Sequence, residues 1–298
     1  MEARLKISKF RFWKMATFLV ITLIPMFIFY TVNYRDDWMF GLMDTLFHER
    51  ESIQLETLDY HSLDIESIHL EELLSHSSNV KATNTLLLIN KKHKIDNELV
   101  LNLINFRDTS LLVDEDIIED LENLLHDVKQ NANEKVYIAS TYRTAEEQKR
   151  IYDENPRIAT PVNTSEHQSG LALDLYVSKK AQREFIDTDA GKWIHHNSWK
   201  HGFIIRYPFL KKHITGIGYE PWHIRYVGKP HAEIIYKKGW TLEEYIYSLE
   251  EDVFYTVNGY VISRQSPRNG KLDIPKGLDD IQLSPDNTGF YIITGKMK

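Results

Sequence analysis

Apolar and polar positions alternate in two distinct periods along the chain, and the switch between them predicts its elements. Residues 114–130, "DEDIIEDLENLLHDVKQ", place Ile117, Ile118, Leu121, Leu124, Leu125 and Val128 on one face at helical spacing. "KVYIAS" (135–140) then reads as a strand, and "TAEEQKRIYDE" (144–154) as a helix N-capped at Thr144. "NTLLLIN" (84–90), "GLALDLYV" (170–177) and "WHIRYVG" (222–228) read as strands, and "GFIIRYP" (202–208) as a short strand or turn. Residues 180–200, "PHAEIIYKKG" and "TLEEYIYSLEED" read as helical. Near the end, "FYTVNGYVIS" reads as a hairpin turning at Asn258-Gly259, followed by a strand in "GFYIITG". Helices interleaved with short strands predict an α+β fold with a small antiparallel sheet, and the last 47 residues predict a small β appendage.

The N-terminal pattern is different. Residues 15–32, "MATFLVITLIPMFIFYTV", contain no charge, and Arg4, Lys6, Lys9, Arg11 and Lys14 precede them against a single acid, Glu2. A run of this length approaches what spans a bilayer, and the basic flank places that end in the cytoplasm. The run ends in Phe29, Tyr30 and Val32, without the small residues of a cleavage site. The expectation is therefore an uncleaved single-pass anchor with the rest of the chain exported. The expected segments are a cytoplasmic basic tail (1–14), an anchor (15–33), a stalk or spacer (34–80), a catalytic domain (81–251) and the β appendage (252–298).

Composition narrows the chemistry. The 298 residues are 42% hydrophobic and 27% charged, as in a folded protein, and the net charge of −7 argues against nucleic acid as a partner. With no cysteine, disulfides, thiol catalysis and cysteine-ligated metals are excluded, so any metal must be held by His, Asp or Glu.

Asp174 is the first chemical signal. It sits in the apolar run "LALDLYV", where an unpaired buried carboxylate would be prohibitively costly. His167 lies seven residues before it, with Gly170 between to bend the backbone. Glu220 and His223 flank Pro221-Trp222, whose bend could bring both side chains to one site although residues three apart on a straight strand face oppositely. His167, Asp174 and His223 together make two imidazoles and one carboxylate, a three-ligand set that leaves a fourth position open, as in catalytic zinc sites. A glutamate beside such a set can take a proton from water. In "STYRTAEEQ", Arg143 lies at a strand-to-helix junction, where a fixed cation could stabilise a developing oxyanion, and Gln148 lies a turn further on. Taken singly, each has a plainer reading: a surface or satisfied core histidine, a salt-bridged aspartate, an ion-paired arginine. His195, His196, His201, His213 and His231 have no matched carboxylate and are read as structural. Ser78 and Lys81 match S-x-x-K by chance, since no S-D-N or K-T-G accompanies them.

"STYRTAEEQ", "SEHQSGLALDL" and "YEPWHIRYVG" resemble, in order and spacing, the VanY-type zinc D,D-carboxypeptidases of the LAS group of metallopeptidases. The pattern S-x-H-x-x-G-x-A-x-D is complete at Ser165, His167, Gly170, Ala172 and Asp174, and E-x-W-H at Glu220, Trp222 and His223. "GKWIHHNSWKHGFIIRYP" adds to the likeness, which spans residues 80–250. One departure is Thr141, where relatives commonly carry glycine. The resemblance implies one zinc ion held by His167, Asp174 and His223, Glu220 as general base and then acid, Arg143 on the scissile carbonyl, and Gln148 and Ser165 lining the substrate pocket. It implies removal of the C-terminal D-Ala from peptidoglycan stem pentapeptides or their lipid-linked precursors, insensitive to penicillin. In glycopeptide-resistant bacteria that reaction strips the D-Ala-D-Ala target of vancomycin. An L,D-carboxypeptidase, a D,D-dipeptidase or a wall endopeptidase on the same zinc core is the nearest alternative. A non-catalytic, zinc-stabilised wall-binding module is the alternative of another class.

Overall fold

The computed structural model describes residue 26 and residues 35–75, 79–96 and 99–298. The chain divides into two compact units, Met1–His48 and Glu49–Lys298. In the first, the described residues form helix α1 (Asp36–Phe47), whose acidic first turn suits the positive end of the helix dipole. Arg35 forks onto Asp37 through two hydrogen bonds of 2.9 Å.

The expectation of a membrane anchor is corrected here. Residues 15–33 lie outside the described residues except Met26, and among the described residues no helix is long and apolar enough to cross a membrane. Helix α1 has only 12 residues and carries Asp36, Asp37 and Asp44, against the roughly 20 apolar residues that a spanning helix needs. No single-pass anchor is indicated, and the expected exported placement and membrane partner, which rested on it, are withdrawn.

The second unit is α+β. Its first strands are β1 (Glu56–Leu58), β2 (Ile65–His69), β3 (Lys81–Ala82), β4 (Leu103–Asn105) and β5 (Leu112–Asp114), with helix α2 (Leu70–Leu73) after β2. Next come helix α3 (Ile118–Ala132), β6 (Val136–Ser140), α4 (Ala145–Glu154), β7 (Ala172–Val177) and α5 (Asp189–Asn197). They are followed by β8 (Phe203–Ile205), α6 (Lys212–Thr215), β9 (His223–Tyr226), α7 (His231–Lys238) and α8 (Leu242–Ser248). The chain ends in β10 (Phe254–Val257), β11 (Tyr260–Gln265), β12 (Lys271–Pro275), β13 (Leu278–Pro285) and β14 (Tyr291–Met297).

The sheet that carries the candidate chemistry has strand order β6-β7-β9-β8 and is antiparallel throughout. Helices α3 and α5 cover it. The helical face read from the sequence is the one that is buried: Ile117, Leu121, Leu124 and Val128 pack with Leu173, Leu175, Ile194, Phe203 and Ile224 in one core. Thr144 caps α4 through a capping box with Glu147.

A second sheet, ordered β1-β10-β11-β14-β13-β3, packs through Tyr255, Val257, Ile262 and Ile292 onto α7 and α8. Asn258 and Gly259 have φ of 47° and 80°, as the tight β10–β11 turn requires. His231 joins this sheet to both helices, since its Nδ1 lies 2.6 Å from the Tyr245 hydroxyl and its Nε2 lies 3.0 Å from Thr294 Oγ1.

The expected strand at 84–90 is an irregular buried segment instead. Leu86 and Leu88 enter one core and Leu87 and Ile89 another, so the apolar run is explained without a ladder. Its backbone groups are met by side chains: Arg225 Nη2 donates to the carbonyls of Thr85 and Leu87, and Asn287 Nδ2 to that of Leu88.

Candidate active site

Asp174 and His223 are direct register partners on β7 and β9, and Ser140 of β6 stands across from Asp174 on its other side. His167 comes from a 3-10 turn, Glu166–Ser169, that delivers the chain into β7. The turn closes on Gly170 at φ 75°, where an added Cβ would lie 2.6 Å from Leu103 Cδ2 and 2.9 Å from the Asp114 amide nitrogen. Glycine is therefore required twice, by backbone conformation and by space.

The three residues converge. His167 Nε2 lies 3.2 Å from Asp174 Oδ2, and His223 Nδ1 lies 2.9 Å from Asp174 Oδ1. The imidazole rings meet edge to face at 5.0 Å between centroids. Each residue offers a ligand atom within 4.8 Å of the others, and two imidazole nitrogens with one carboxylate oxygen are a donor set that suits zinc. His167 Nδ1 donates to the Thr141 carbonyl at 2.7 Å, which leaves Nε2 with its lone pair toward Asp174. Thr141 thus serves this contact through its backbone, not through its side chain.

Electrostatics follow from burial and these contacts. Burial opposes charge on Asp174, but His167 and His223 outweigh it and hold the carboxyl far below the usual range. Burial lowers the pKa of His167. It works the same way on His223, yet the hydrogen bond to Asp174 and the nearby Glu166 carboxylate push that group up to about 9. Burial pushes Glu220 up to about 7, within reach of both protonation states at neutral pH.

Arg143 spans the approach to the cluster. Its Nε donates to Ser140 Oγ at 3.0 Å, its Nη1 to Gln148 Oε1 at 3.4 Å and its Nη2 to Asp174 Oδ2 at 3.1 Å. Gln148 is held from behind, its Nε2 donating to the Thr160 carbonyl at 2.7 Å. Arg143, Gln148, Ser165, His167, Asp174, Glu220 and His223 all line one cavity of ≈ 390 Å³, with Ile151, Ile158, Ile217 and Trp222 on its apolar wall. The structure thus gathers every residue singled out from the three motifs.

Five further residues escaped the sequence reading. Tyr207 packs on the His223 ring at 4.9 Å between centroids. Glu166, Arg206 and Arg225 form a fully buried ion cluster behind the site, extended by Glu243. The histidines read as structural are accounted for in part: His201 does have a carboxylate, with Nε2 3.3 Å from Asp127 Oδ2, and His213 Nδ1 meets the Leu210 carbonyl. Lys81 of the chance S-x-x-K pairs with Asp116 at 2.6 Å.

The family model described as VanY, D-alanyl-D-alanine carboxypeptidase, matches residues 110–229, the stretch that holds every residue of the cluster. A D-alanyl-D-alanine carboxypeptidase of Enterococcus faecium is 35% identical over 229 residues, covering 70% of this chain and 74% of that one. The chain belongs to the VanY family. Among solved structures, a vancomycin-resistance D,D-dipeptidase, VanXYg, in complex with a D-Ala-D-Ala phosphinate analogue, aligns with a TM-score of 0.64 at 28% identity. That alignment covers 78% of this chain and 99% of the VanXYg chain. The LD-carboxypeptidase LdcB aligns with a TM-score of 0.52 at 28% identity, over 65% of this chain and 98% of its own. VanY membership and the likeness to a D,D-dipeptidase and an LD-carboxypeptidase place peptidases named for different activities on one fold.

Proposed function

We propose that this VanY-family protein is a zinc-dependent D,D-carboxypeptidase that removes the C-terminal D-Ala from peptidoglycan stem pentapeptides. The observation that carries the reading is the convergence of His167 Nε2, Asp174 and His223 Nδ1 in a cavity whose wall also holds Glu220 and Arg143. Residues 81–251 are the peptidase portion on this reading, and residues 252–298 its β companion. The E. faecium relative, named for the same activity, supports the substrate class. Removal of terminal D-Ala from D-Ala-D-Ala stems is also the chemistry that would withdraw the vancomycin target, so the same activity serves either a resistance role or ordinary wall maturation.

His167, Asp174 and His223 would hold the metal. Bound there, zinc supplies Lewis-acid chemistry, polarising the scissile carbonyl and activating water. Glu220, poised near neutrality by its burial, takes a proton from the attacking water and returns it to the amine of the departing D-Ala. Arg143 faces the developing oxyanion with a guanidinium already held in place by Ser140 and Gln148, so little reorganisation is needed at the moment of reaction. Gln148 and Ser165 line the pocket and orient the peptide. Water adds to the carbonyl, the C–N bond breaks, and a tetrapeptide and free D-Ala leave.

The likeness to LdcB supports a second reading, an L,D-carboxypeptidase acting on the tetrapeptide. Both readings share one test of mechanism. Chelation should abolish release of alanine, zinc should restore it, and penicillin should leave it unchanged; full activity in chelator would refute the metallopeptidase assignment.

A further inference from the structure

Behind the cluster, two buried polar atoms without hydrogen-bond partners face one another: His223 Nε2 and Glu166 Oε2, 3.8 Å apart. That distance is too long for a hydrogen bond, and too short for a bridging water, which would hold the two atoms roughly 4.5–5 Å apart. Orphaned buried donors and acceptors are rare, and a movement of about 1 Å would satisfy both of these at once.

Glu166 is built to present that oxygen. Its Oε1 receives Arg206 Nε at 2.6 Å and lies 3.0 Å from Arg225 Nη1, so both cations gather on one oxygen and Oε2 is left to His223. The cations are themselves pinned. Arg206 grips Glu243 of α8 with two hydrogen bonds of 2.8 Å, and Arg225 donates to the carbonyls of Thr85 and Leu87. The carboxylate therefore has one orientation, fixed from two distant parts of the chain.

We propose that Glu166 is a positioning residue for His223, accepting its Nε2 proton so that the ring keeps Nδ1 unprotonated and aimed at the metal position. The proposal rests on the zinc reading above. A metal-ligating imidazole needs its second nitrogen tied to an acceptor that fixes both tautomer and ring plane. For His167 that acceptor is the Thr141 carbonyl, and Glu166 is the matching acceptor for His223.

Glu166→Gln discriminates this from a purely structural role. With the amide oxygen held on the two guanidinium groups, its NH2 would turn toward His223 Nε2, a donor facing a donor. The imidazole would then have to offer a lone pair at Nε2 and carry its proton on Nδ1, the atom needed by zinc. Glu243→Gln is the control, because it takes one charge from the same buried cluster without facing His223.

Zinc affinity of the full chain, measured by competition with a chromophoric chelator, should fall roughly 10–100-fold in Glu166→Gln and clearly less in Glu243→Gln, which loosens only the anchor of Arg206. Equal affinities for wild type and Glu166→Gln, or equal losses in both variants, would overturn the proposal. Absence of zinc binding by the wild type would instead overturn the metal reading on which it rests. Should Glu166→Gln fail to fold, nitrogen NMR of the zinc-loaded wild type still decides: the His223 proton should reside on Nε2 and exchange slowly. A proton on Nδ1, or rapid exchange at Nε2, would overturn it.

Discussion

Asp174 and His223 stand opposite one another on antiparallel strands, with His223 Nδ1 2.9 Å from Asp174 Oδ1. The pair explains how a carboxylate is tolerated in an apolar strand: it is flanked by two imidazoles and one guanidinium, and the strand register places it there. Asp174→Ala should remove zinc and activity together while the sheet persists, because the lost contacts are all to side chains. Metal content by atomic absorption, beside a far-ultraviolet circular dichroism spectrum, checks this. Retention of stoichiometric zinc would place the metal elsewhere.

Glu220 should behave differently. On the proposed reading it is the base and not a ligand, so Glu220→Gln should keep one zinc per chain and lose roughly 10²–10⁴-fold in turnover. Since burial pushes the wild-type group up to about 7, it is protonated and idle in acid, and kcat/KM should climb as pH rises through neutrality. A profile flat from pH 5 to 8 would reassign the base.

Gly170 carries a backbone and a steric demand together. Gly170→Ala would force a Cβ into contact with Leu103 and the Asp114 backbone at φ 75°, with a cost of about 1–3 kcal/mol. The turn that carries His167 would distort with it. Thermal unfolding and zinc titration of the variant read both effects, and a wild-type melting temperature would contradict the steric account.

His231 sets an acid limit on stability. Burial pushes its pKa down to about 3 from an ordinary 6.5. A histidine depressed on folding contributes stability that is whole above its unfolded value and drains away as pH falls through the interval toward its folded one. Stability should therefore decline from about pH 6.5 downward, and less steeply in His231→Gln, which has no proton to gain. Melting curves between pH 4 and 7.5 compare the slopes; parallel lines would exonerate His231.

Much of this was legible in the sequence because it depends on local spacing. The α3 face, the Thr144 cap, the Asn258-Gly259 turn and the three motifs are each set by residues close together in the chain. The buried ion cluster was not read, although its signal was present. Arg206 in "GFIIRYP" and Arg225 in "WHIRYVG" are charges in apolar runs, open to the same argument that singled out Asp174. What one strand cannot reveal is the partner, since Glu166 and Glu243 lie 40 and 37 residues from Arg206. The 84–90 segment failed for a related reason: its apolar run is buried on both sides as a strand would be, but its carbonyls are met by Arg225 and Asn287 from far along the chain. The membrane anchor was read from an uncharged run, its basic flank and the lack of a cleavage site, and among the described residues no helix bears it out.

The most direct test of the central claim is to incubate the full chain with zinc and a synthetic stem pentapeptide ending in D-Ala-D-Ala, and separately with the matching tetrapeptide, and to weigh the products. A D,D-carboxypeptidase releases one alanine from the pentapeptide and leaves the tetrapeptide intact. Release from the tetrapeptide alone would contradict that assignment and move the same zinc site to L,D chemistry.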